Sequence, residues 1–81
     1  MDNVQELMYK ALIVKAVQLQ EEGRTMKCSE VVDWINSNFK FPHPYVSARG
    51  VLKAAHNRAQ TQPEIIALET VFTDRNGNAL L

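Results

Sequence analysis

The chain has 81 residues, 46% of them hydrophobic and 22% charged, with nine basic and nine acidic side chains that cancel to a formal net charge of zero. That length confines it to one domain, residues 1–81, whose core buries about 60 to 65% of the unfolded surface, and its apolar share argues against wholesale disorder. No run approaches the roughly 18 apolar residues of a membrane span and the first residues lack the order of a signal peptide, so the reading is a cytoplasmic chain with no membrane partner.

Asp2 followed by Gln5 fits a helix N-cap, and VQELMYKALIVKAVQLQEEG runs without a break to Gly23, which predicts a first helix of about 20 residues. Val4, Leu7, Met8, Ala11 and Leu12 form one stripe on it, whereas Ile13, Ala16 and Val17 turn toward another. A helix with two apolar faces meets the rest of its domain with one and a neighbouring element or a second copy of the chain with the other.

Gly23 is a natural stop. In the RTMKC that follows, Met26 and Cys28 alternate with Arg24 and Lys27 as in a brief half-buried strand. Ser29 then offers an N-cap, with Glu30 and Asp33 in the first turn, for a second helix over about Glu30 to Asn38 in which Trp34 is a core anchor. Lys40 to Pro44, KFPHP, is a short connection, because each proline bars its preceding residue from the α region.

Tyr45 to Gln60 reads as a third helix. Ala48, Val51, Leu52, Ala55 and Ala59 share one arc, opposite Val46, Arg49, Gly50, Lys53, His56, Asn57 and Gln60. From Trp34 through Pro63 there is no acidic residue, while Lys40, Arg49, Lys53 and Arg58 make that segment +4 and leave the remainder at −4. Such a dipolar chain can turn a positive face to phosphate.

Beyond Gln60 two readings compete. Thr61 and Glu64 with Pro63 between them resemble a capping box for a fourth helix, but Ile65 to Thr73 is rich in β-branched and aromatic residues. Asn76-Gly77 is a strong hairpin signal of the type I′ kind. It favours a strand from about Ile65 to Asp74, a turn at Arg75 to Asn78, and a return strand through Leu81.

Helix, short strand, helix, turn, helix, strand, loop, strand is the element order that resembles winged-helix DNA-binding domains. The resemblance implies an α+β fold of three helices, a short strand and a C-terminal β-hairpin wing. It implies that helix 45–60 enters the major groove and that the wing tip, Asp74 to Asn78, touches adjacent backbone, although its only cation is Arg75.

The chemistry of that face follows from its residues. Arg49 can donate bidentately to guanine, Lys53 can reach guanine or phosphate, and Asn57 has the amide geometry for adenine. Gly50 permits close approach of the helix backbone. Lys40, His43, Tyr45, Ser47 and Arg58 suit phosphate contacts, which position a protein without specifying sequence.

Catalytic constellations and phosphate loops are lacking, and Cys28, His43 and His56 are too few and scattered for zinc. The expectation is a protein that is not an enzyme, with no cofactor and no metal, and with Cys28 as a small core residue. The leading function is a double-stranded DNA-binding regulator of transcription or of mobile elements. The alternative is a protein-interaction module, adaptor or inhibitor, that does not bind DNA. One recognition helix gives a short footprint, so a weak homodimer through the first helix is expected, with Ile13, Ala16 and Val17 at its interface.

Overall fold

The computed structural model describes residues 3–81. In chain order it contains α1 (Val4–Glu21), β1 (Met26–Lys27), α2 (Cys28–Asn38), α3 (Arg49–Arg58), α4 (Gln62–Thr70) and β2 (Phe72–Thr73). Four helices enclose the core, and the strands add one two-residue ladder in which Met26 pairs with Phe72 and Lys27 with Thr73, in parallel. The expected fold of three helices with a β-hairpin wing is therefore corrected to a mainly helical one.

Helix α1 starts at Asn3, whose side-chain oxygen accepts from the Gln5 and Glu6 backbone N–H groups and satisfies two of the orphan donors of the first turn. The N-cap expected at Asp2 lies outside the described residues. The helix ends in a Schellman motif. Gly23, at φ +67°, lets the Arg24 N–H donate to the Leu19 carbonyl at 2.9 Å and its own N–H donate to Gln20.

Met8, Leu12, Ile13, Ala16 and Leu19 face inward from α1, which packs against α3 and α4 together. The second apolar face is thus used inside the chain, whereas the first expected stripe buries only Met8 and Leu12 and leaves Val4 and Leu7 exposed. Ile13 and Ala16 are core residues and are not offered to another copy, and Val17 is half-buried against the same core. Val31 and Ile35 from α2, Val51, Leu52 and Ala55 from α3, and Phe72 from β2 complete the interior. Trp34 packs on its margin, as does Cys28.

The largest correction concerns residues 62–70, which form α4 and not a strand. Pro63 occupies the first turn, where its missing N–H costs nothing, and Glu64 reaches back to accept from the Gln60 and Thr61 N–H groups at 2.9 and 3.1 Å. Ala67, Leu68 and Val71 then meet the core at helical spacing, chiefly against α1. Strand propensity in Ile65, Ile66 and Val71 is overridden by that packing.

The Asn76-Gly77 turn does form, without a wing behind it. The Asp74 N–H donates to the Asn78 carbonyl at 2.8 Å and the Gly77 N–H to the Asp74 carbonyl at 3.0 Å. Only Gly77 has positive φ, +86°. This is the three-residue loop with a left-handed glycine in place of the expected I′ turn, which needs positive φ at both central residues. The Asp74 carboxylate locks the turn by accepting from Asn76 and Asn78. The return segment contributes one antiparallel bridge, Thr73 to Ala79, and a bond from the Leu80 N–H to Phe72.

Candidate nucleic-acid interface

Helix α3 begins at Arg49, four residues later than the sequence pattern suggests, and Asn36 supplies the cause. Its side-chain amide donates to the Tyr45 carbonyl at 2.8 Å and accepts from the Tyr45 N–H at 2.9 Å. Bonded on both sides like a residue in a ladder, Tyr45 is held before the helix and not within it. The connection from α2 accordingly runs from Phe39 to Ala48, longer than the tight turn expected from KFPHP. Ring contacts stiffen it, a tilted one between Phe39 and Phe41 with centroids 6.4 Å apart and an edge contact between Phe41 and Tyr45 at 4.9 Å.

Within α3 the two faces separate as the spacing predicts. Ala48, Val51, Leu52 and Ala55 are buried, and Arg49, Gly50, Lys53 and Asn57 are exposed on the opposite side. Arg49 and Lys53 are one turn apart, and the described residues give neither an ion-pair nor a hydrogen-bond partner. No carboxylate stands in the first turn, and no side chain caps it. The start of the helix therefore adds a partial positive charge to that of Arg49.

Other nominated residues divide by what they touch. Lys40 and His43 are exposed in the long connection, Ser47 is exposed just ahead of α3, and Arg75 is exposed in the C-terminal turn. Tyr45 is half-buried, and its hydroxyl accepts from the Gln5 side chain at 3.1 Å, so it ties the connection to α1.

Arg58 has a structural task. Its Nε and second terminal nitrogen grip the Glu6 carboxylate at 2.6 and 2.8 Å, its other terminal nitrogen donates to the Ala54 carbonyl at 2.9 Å, and its guanidinium carbon sits 4.4 Å from the centre of the Tyr9 ring. The fork and the stack together fasten α3 to α1. The same bond holds the Glu6 carboxyl below its ordinary pKa and raises that of Arg58. His56 likewise turns toward α4, 2.9 Å from Glu69.

The acid-free stretch of sequence is thus not acid-free in space. Glu6 and Glu69 occupy Arg58 and His56, and Asp33 of α2 lines the same groove of about 420 Å³ as Val46, Ser47 and Arg49. The positive surface contracts to Arg49 and Lys53, with Lys40 in the connection. None of the partners Glu6, Tyr9 or Asn36 carried a sequence signal, since Glu6 and Tyr9 act on Arg58 from the far end of the chain and Asn36 acts on Tyr45 across the turn from another helix. Val46, 92% exposed beside Arg49, leaves an apolar side chain bare at this edge.

Among the described residues no three His, Cys, Asp or Glu side chains converge as a metal site would require, and no helix is long and apolar enough to cross a membrane. A comparison of the chain with protein-family models, curated proteins and solved structures finds no match.

Proposed function

We propose that this chain binds duplex DNA by laying the outward face of α3 in the major groove, with Arg49 and Lys53 as the principal contacts. The observation that carries the reading is the pair of unpartnered cations, one turn apart on a stripe that includes bare backbone at Gly50. A helix about 10 to 12 Å across with its side chains suits a groove roughly 12 Å wide. Arg49 offers the fork that fits guanine, Asn57 the amide that fits adenine, and exposed Val46 an apolar surface for a thymine methyl. Lys40 supplies a phosphate contact from the connection.

Three cations set the expected salt dependence. Anisotropy titrations of a labelled mixed-sequence duplex should give a log–log slope of about −2 to −3, and Arg49→Ala or Lys53→Ala should each reduce it by about one. Arg58→Lys should leave the slope unchanged, because that side chain is already occupied by Glu6. Absence of binding at low salt, or slopes indifferent to Arg49 and Lys53, would overturn the reading. A stable complex with an acidic protein that involves the same two cations and retains no DNA would select the interaction-module alternative, which the loss of Arg58 and His56 from the positive face favours.

A further inference from the structure

Leu7, Lys10, Val14, Val17 and Glu21 follow one another along α1 at alternating steps of three and four, the spacing of a helix-pairing seam. This stripe lies outside the arc that α1 presents to the core. Leu7 is 52% and Val14 67% exposed, Lys10 and Glu21 are exposed, and Val17 is half-buried at the edge. Val14 borders two shallow grooves along α1, one shared with Glu6, Lys10 and Arg58 and the other with Val17 and Glu21. Among the described residues neither Lys10 nor Glu21 has an ion-pair partner.

We propose that the occupant of this stripe is α1 of a second copy of the chain, antiparallel and related by a two-fold axis. In antiparallel pairing each position that follows a step of four faces one that follows a step of three on the partner helix. Setting Val14 against the partner's Val17 fixes the rest of the register. Lys10 then meets the partner's Glu21, and Glu21 meets the partner's Lys10, while Leu7 lies past the end of the partner's α1 and outside the paired seam. The stripe is complementary to itself only in this direction, because a parallel pair would set Lys10 against Lys10 and Glu21 against Glu21. An isologous contact of this kind closes at two copies. One exposed stripe per chain falls below the roughly 1,200 Å² of a stable interface, so the dimer is weak and concentration-dependent. It leaves Ile13 and Ala16 in their own core and does not depend on DNA.

Sedimentation of the full chain without DNA, over micromolar to millimolar concentrations, should show a monomer–dimer equilibrium. Lys10→Glu and Glu21→Lys should each weaken it about tenfold or more, since both cross-pairs become repulsive. Mixing these two variants in equal amounts should restore association as a heterodimer, and the double variant Lys10→Glu/Glu21→Lys should associate like the parent chain. Circular dichroism of each variant confirms that α1 is intact. A chain that stays monomeric at millimolar concentration, and so keeps the stripe for a different helix, would overturn the proposal. So would association indifferent to both single reversals, or a double variant that fails to recover.

Discussion

Gly50 offers a test in which stability and binding should move in opposite directions. It is the second residue of α3, its φ is not positive, and a methyl group placed there would meet nothing within 4 Å. Alanine therefore fits the folded chain without strain and chiefly removes freedom from the unfolded one, a gain of about 0.4 to 1 kcal/mol. With about 2.1 cal/mol/K of unfolding entropy per residue, this chain unfolds with about 0.17 kcal/mol/K, so Gly50→Ala should raise Tm by about 2 to 6 °C. The same methyl would stand on the face shared by Arg49, Lys53 and Asn57, where a duplex must approach. Affinity for DNA should fall while the salt slope stays unchanged, because no charge is lost. Thermal unfolding and anisotropy on one preparation read both effects. A lowered Tm would refute the open surroundings of Gly50, and a raised Tm with undiminished affinity would refute close approach of the helix backbone.

Acid should weaken the fold through two carboxylates. Arg58 holds Glu6, and the Gln60 and Thr61 N–H groups hold Glu64, below the ordinary glutamate pKa, so their contribution is fully present at neutral pH. It begins to be lost as the pH falls past the unfolded value of about 4.3 and is gone below the lowered folded values. Urea midpoints measured from pH 7 to 3 should fall with acid less steeply in Glu6→Gln/Glu64→Gln, and an identical pH profile would contradict the assignment. Phe72→Ala, at a fully buried side chain, should cost about 3 to 5 kcal/mol. Against a total of about 4 to 12 kcal/mol for a chain of this length, that brings it near the unfolding threshold, and a loss under about 1 kcal/mol in urea would contradict its place in the core.

The periodicity of α3 was legible because the helix buries one continuous arc, and Ala48, Val51, Leu52 and Ala55 lie where a 3.6-residue period puts them. In α1 the arc was misplaced: Val4 and Leu7 of the expected stripe are exposed, and Met8 and Leu12 share their face with Ile13, Ala16 and Leu19. Residues 62–70 were misread because propensity and pattern conflict there. Pro63 and the reach of Glu64 start a helix that the β-branched content of Ile65, Ile66 and Val71 argues against, and docking on α1 decides the outcome. Tyr45 was drawn into α3 because the amide that holds it belongs to Asn36 of another helix. On the face of α3, Arg49, Gly50, Lys53 and Asn57 were recognisable as an outward stripe. Arg58 was not separable from them, since helical spacing says which way a side chain leaves its axis and nothing of the Glu6 that waits across the gap.

The two-residue ladder of β1 and β2 joins segments from opposite ends of the chain, and its parallel sense means that no local turn can assemble it. Residues 28–71, including α2, α3 and α4, lie between Lys27 and Phe72, so the ladder closes a long loop whose entropy the packing of those helices must offset. A nascent chain that has emerged only as far as α3 has no fourth helix to cover α1 and no acceptor for the Met26 N–H, which the Val71 carbonyl will later provide. The N-terminal helix thus has a complete bed to lie in only once α4 and the Val71–Phe72 segment have joined α3.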